Sequence, residues 1–175
     1  MSTLVLVLFL LAYASALDTQ TVVDQEIHGA GSFRILGGKV ASAWAYPFMV
    51  SLRWYPNEHF CGGTIVNNLW VLTAAHCMVR ESSATAFAVV GTNALSFGGN
   101  TVKVRKTIMH PRFNQTTYLS NDLAMIQLDS ALKYSATIAP VTLDTAVSQP
   151  IIDVTLIGWG KTRNKGPSPN YLLEL

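Results

Sequence analysis

Downstream of residue 35 the sequence is a succession of short runs of aliphatic, aromatic and β-branched residues, broken repeatedly by turn formers. The runs occupy 48–55, 60–66, 70–75, 86–90, 102–109 and 123–128. Between them stand Pro56-Asn57, Asn67-Asn68, Gly91-Thr92-Asn93 and Gly98-Gly99-Asn100. Asn, Gly and Pro favour turns, because they tolerate or pre-set the backbone angles that a reversal needs. No stretch sustains the 3.6-residue period of an amphipathic helix. The pattern predicts about six short strands, little helix, and an all-β barrel or sandwich. A further run at 153–157 starts another strand and leads into Gly158-Trp159-Gly160.

Composition removes other classes. The 175 residues carry 12 Lys+Arg against 10 Asp+Glu, a net charge of +2, and 50% are hydrophobic. Such a balance gives no field suited to nucleic acid. Charged residues are 13%, against roughly 25% in an average soluble domain. Disorder needs high charge with few apolar groups, and a coiled coil needs charged flanking positions, so both are excluded. Lys161, Arg163 and Lys165 form a local basic cluster that reads as a solvated loop.

The N-terminus is a different matter. Residues 4–13 are almost purely apolar and are followed by Ala14-Ser15-Ala16. An apolar run of about ten residues is too short for a bilayer, which needs roughly 20. A short apolar core before a small-x-small site is the pattern of a secretory signal, with cleavage expected after Ala16. No later run is long and apolar enough to span a membrane. The expectation is a secreted, extracellular protein with a signal peptide at 1–16. Residues 17–34 are polar, show no sustained period, and form a leader without a core of its own.

Export bears on the two cysteines, Cys61 and Cys77. An oxidising compartment favours their pairing. The alternative is a metal site built from both thiols and a nearby His, but no C-x-x-C or H-x-x-x-H spacing accompanies them.

Three segments carry chemistry. Thr73-Ala74-Ala75-His76-Cys77 sets a histidine among small residues beside a cysteine. An imidazole with a pKa near 6.5 is the usual general base at neutral pH. Asn121-Asp122 opens an apolar strand. A carboxylate there needs hydrogen-bond donors, and an imidazole N–H held in one tautomer would be a good one. Arg34-Ile35-Leu36-Gly37-Gly38 offers a basic cleavage point followed by an aliphatic residue and two flexible glycines. Cutting there releases an ammonium that can be buried only against a carboxylate.

Taken in order, Arg-Ile-Leu-Gly-Gly at 34–38, Cys-Gly-Gly-Thr-Ile at 61–65, Leu-Thr-Ala-Ala-His-Cys at 72–77, Asn-Asp-Leu-Ala at 121–124 and Gly-Trp-Gly at 158–160 closely resemble the chymotrypsin-like serine endopeptidases. The resemblance runs from about Ile35 to Leu175. It implies a fold of two six-stranded antiparallel β-barrels, of which this chain holds the first and the opening of the second. It implies that His76 is the general base and Asp122 its orienter, that Cys61–Cys77 is the disulfide beside the histidine, and that Arg34–Ile35 is the zymogen cleavage bond. His110-Pro111 also matches the family, with the histidine read as structural. By this resemblance 17–34 is an activation propeptide and 35–175 a C-terminally incomplete protease domain. The implied partners are polypeptide substrates and an activating protease that cuts after Arg34. No metal or organic cofactor is implied.

The family's Gly-Asp-Ser-Gly-Gly nucleophile segment is not among these residues; the serines after Asp122 are Ser130, Ser135, Ser148 and Ser168, none in that context. The oxyanion hole and specificity pocket belong with that segment. The 175 residues are therefore expected to be inactive alone, and their primary specificity stays open. The competing expectation is a non-catalytic secreted homologue that acts as a binding module. Finally, Asn114-Gln115-Thr116 is an N-glycosylation sequon in a polar loop.

Overall fold

The computed structural model describes residues 38–79, 86–114, 116, 120–144, 154–162 and 166–175. All six apolar runs form strands. In chain order the strands are β1 (Lys39–Val40), β2 (Met49–Trp54), β3 (Glu58–Ile65), β4 (Trp70–Thr73), β5 (Ala86–Val90), β6 (Asn100–Met109), β7 (Ala124–Leu128), β8 (Ile157–Gly158) and β9 (Leu173–Glu174). Strands β2 to β7 close an antiparallel barrel in the order β2-β3-β4-β7-β6-β5, with β5 returning to β2. The chain is thus all-β, with a chymotrypsin-like barrel as the resemblance implied.

Period-two alternation supplies the core. In β7, Ala124, Ile126 and Leu128 point inward, while Met125 and Gln127 are only partly covered. Val50, Leu52, Ile65, Val71, Ile126 and Leu128 are each at most 1% exposed. Two glycines are required by this packing. A Cβ on Gly63 would stand 2.7 Å from Val71 Cγ1 and 3.2 Å from the Leu72 carbonyl oxygen. Gly99 has φ +82° and would crowd the Val90 carbonyl oxygen at 2.9 Å, so only glycine lets the chain turn into β6.

Two strand expectations need correction. The run at 70–75 pairs as strand only to Thr73; Ala74 is still extended, and Ala75–Met78 turns into a 3-10 helix. Small residues there let the chain leave the sheet and wind tightly without a clash. The run at 153–157 yields only Ile157–Gly158 as strand, since a ladder lasts only as long as its partner, and β9 is two residues long. Asp153 lies outside the described residues, as do residues 1–34, where a signal peptide and a leader were expected.

Beside the barrel lies a three-stranded sheet in the order β1-β9-β8, with Lys39 and Ile157 both opposite Glu174. It is joined to the barrel's flank through the 93–95 loop. Leu172 donates its N–H to the Asn93 carbonyl at 2.8 Å, and Trp159 Nε1 donates to the same oxygen at 3.0 Å. Glu174 accepts from the Tyr46 hydroxyl at 2.6 Å and lies 3.2 Å from Lys39 Nζ. Burial first, then the Glu174 carboxylate, pushes the Tyr46 hydroxyl up to about 12. The hydrogen bonds from Tyr46 and then Lys39 hold Glu174 below its ordinary value. Among the described residues no helix is long and apolar enough to cross a membrane.

Candidate active site

Strands β4 and β7 pair antiparallel, and their ladder ends at Thr73↔Ala124. The chain leaves β4 at Thr73 and enters β7 at Ala124, so exit and entry lie side by side at one end of the barrel. His76 comes three residues after that exit, in the 3-10 helix, and Asp122 two residues before that entry. The register therefore joins two residues that are 46 positions apart in sequence.

Their contact is direct. His76 Nδ1 lies 2.6 Å from Asp122 Oδ2, and the His76 backbone N–H donates to Asp122 Oδ1 at 2.8 Å. One carboxylate thus grips both the ring and the backbone of the histidine. An ionised carboxylate only accepts hydrogen bonds, so Nδ1 carries the proton in this contact and the neutral ring keeps its lone pair on Nε2. The Asp122 side chain is 12% exposed and that of His76 31%. The carboxylate is therefore largely shielded while the imidazole faces the surface, the order that a base reaching a bound molecule requires.

Neighbouring groups hold both residues in place. Cys61 of β3 is bonded to Cys77, which ties the 3-10 helix to the barrel wall next to His76. The Thr73 hydroxyl donates to the Gly62 carbonyl at 2.8 Å. Asn121 has φ +55°, a left-handed conformation that Asn tolerates better than most residues. Its side-chain amide donates to the Arg112 carbonyl at 2.9 Å, anchoring the turn before Asp122. His110 lies in the same turn region; its N–H donates to Leu123 O at 2.8 Å and its Nδ1 accepts from Arg112 N–H at 3.2 Å.

The Cys61, His76 and Cys77 ligand atoms all lie within 4.8 Å of one another. The two sulfurs are bonded to each other, so neither is a thiolate able to hold a metal. Cys77 Sγ is 3.6 Å from His76 Nε2. Arg34 and Ile35 lie outside the described residues. Asn114 is exposed, in the loop between β6 and β7.

One polar cluster was missed by the sequence reading. Arg53 is 2% exposed; its Nε donates to Ser51 Oγ at 2.9 Å, and its Nη1 donates to Asn57 Oδ1 and the Leu95 carbonyl, both at 2.8 Å. Its Nη2 is buried without a partner. Ser51 Oγ is also 2.9 Å from His59 Nδ1, and the His59 ring meets Trp159 edge-on with centroids 5.5 Å apart. Burial first, then the Arg53 charge, pulls His59 down to about 4. Ser51 and Arg53 alternate with apolar Val50 and Leu52, which marks an ordinary polar outer face, so no local signal announced their burial.

A closed antiparallel barrel with an Asp-held histidine at its end, next to a disulfide, is the arrangement of a chymotrypsin-like protease fold. The Trypsin family model matches residues 35–175, and the chain belongs to that family of serine proteases. It is 36% identical over 144 residues to human granzyme M, covering 81% of this chain and 55% of that protein. It is 32% identical over 181 residues to trypsin 5G1 of Aedes aegypti, covering 98% of this chain and 66% of that protein. The chain thus spans between about half and two thirds of the length of these curated relatives.

Proposed function

We propose that this chain belongs to the zymogen of a secreted trypsin-like serine endopeptidase, with His76 as general base and Asp122 as the group that orients it. The observation that carries the reading is the two-point hold of the Asp122 carboxylate on the ring and backbone of His76. In such a mechanism the imidazole takes the proton of a serine hydroxyl as the oxygen attacks a peptide carbonyl, then returns it to the leaving amine. Asp122 keeps Nδ1 protonated and stabilises the imidazolium that forms. Polypeptides are the substrates, and no cofactor is needed.

In this reading residues 1–16 direct export, 17–34 are the propeptide, and cleavage after Arg34 frees the Ile35 ammonium. Strands β8 and β9 are the opening of a second barrel. The 175 residues alone do not hydrolyse peptides, because Gly-Asp-Ser-Gly-Gly is not among them. A triad lacking one member retains about 10³–10⁴-fold over water, a value from this family's own triad, and that remainder relies on an oxyanion hole. The same sequence observation favours the second reading, a non-catalytic homologue that binds without cutting.

The test begins with the transcript beyond the Leu175 codon. A continuation encoding Gly-Asp-Ser-Gly-Gly is expected. The corresponding protein, cut after Arg34, should hydrolyse peptide substrates, and Asp122→Asn should lower its kcat by about 10⁴, again by this family's own precedent. A stop codon directly after Leu175, with secreted protein of that size, would decide for the binding module. Full activity in His76→Ala would overturn the assigned role.

A further inference from the structure

We propose that Asn114 is an N-glycosylation site that the folded chain accommodates at its surface; the proposal rests on the export part of the reading above. Asn114 Oδ1 accepts two hydrogen bonds from Thr116, one from its backbone N–H at 2.9 Å and one from its hydroxyl at 2.6 Å. The two bonds hold the carboxamide oxygen against Thr116 in the folded loop. Asn114 and Thr116 are both exposed.

The backbone beneath is anchored. The Asn114 N–H donates to the Ser120 carbonyl at 3.2 Å, and the Asn121 side chain donates to the Arg112 carbonyl at 2.9 Å. These bonds close the base of the loop. A glycan is attached as the chain enters the secretory lumen, before folding is complete, so the fold must accommodate it afterwards. An exposed asparagine on a closed surface loop can carry the glycan without displacing core residues.

The co-reactant is an oligosaccharide linked to a polyprenyl diphosphate, delivered by the host transferase. Asn114 Nδ2 attacks the anomeric carbon. The bond from that carbon to the phosphate oxygen breaks, the polyprenyl diphosphate leaves with the electron pair, and Nδ2 sheds one proton to a base of the transferase. No electron transfer is involved.

The full chain is expressed in a eukaryotic secretory host in two forms, one with its own residues 1–16 and one with a signal peptide of the host. Peptide-N-glycosidase should shift the mobility of the lumenal protein by one core glycan and leave aspartate at position 114, read by peptide mass mapping. Asn114→Gln and Thr116→Ala should each abolish the shift, and Thr116→Ser should retain it. Protein recovered from the lumen or medium with unmodified Asn114 would overturn the proposal. Export only with the host signal would count against residues 1–16 as a signal while leaving the glycan result readable.

Discussion

The barrel and the sheet beside it use similar residues but are stabilised differently. Each of β2 to β7 has a neighbour on both sides, so the ring leaves no free ladder edge. The strands of the sheet are two residues long, and among the described residues β1 and β8 are both edges. Val50 of the barrel is 0% exposed, whereas Val40 of β1 is 59% exposed. The sheet leans on the barrel, through Leu172 and the Trp159 indole, rather than on itself. The groups described above that hold His76 against Asp122 come from the barrel or its loops. In these contacts His76 and Asp122 are positioned by barrel elements rather than by the sheet.

That contrast can be broken by mutation. Ile126→Ala, in the barrel core, should cost about 2–5 kcal/mol in urea unfolding, whereas Val40→Ala should stay within about 0.5 kcal/mol. Comparable losses would mean the two regions are equally structural. Removing the disulfide with C61S and C77S together should cost about 3 kcal/mol, the chain-entropy value for a loop of this length, with 16 residues of separation between the cysteines. Because that bridge lies on the barrel side, the unfolding midpoint should move while the contacts of β9 are kept, as read by amide exchange.

His59 links the two regions and sharpens the comparison through pH. Its folded value is about 4, against about 6.5 in an unfolded chain. Below pH 6.5 the unfolded chain takes up a proton that the folded chain refuses. The stability associated with neutral His59 is thus intact above about pH 6.5 and falls by about 3 kcal/mol in total as the pH drops to about 4. Unfolding titrations should show this slope, and His59→Gln should flatten it. A small effect is expected in the sheet: Glu174→Gln retains an acceptor for the Tyr46 hydroxyl and loses the ion pair with the exposed Lys39 ammonium, so it should move the urea midpoint far less than Ile126→Ala.

Much of this was legible beforehand. The run at 86–90 became β5 with the expected bounds, because β-formers flanked by turn residues leave a short chain few alternatives. Asp122 and His76 could be singled out because their neighbours matched a family pattern. Their contact could not be read from spacing, since it depends on which strands pair. The end of β4 was misjudged by two residues, Ala74 and Ala75, since small residues suit an extended strand and a tight helical turn alike.

The amino-acid order by itself determined the strand runs, the turns between them and the all-β class, because these follow from local propensity, and it singled out His76 and Asp122 as candidates through the motifs around them. Only the tertiary structure decided the Thr73↔Ala124 register that joins His76 to Asp122, the burial of Arg53 and His59, and the dependence of the small sheet on the barrel. Register and burial are properties of pairs of segments distant in sequence, and neither segment encodes them alone.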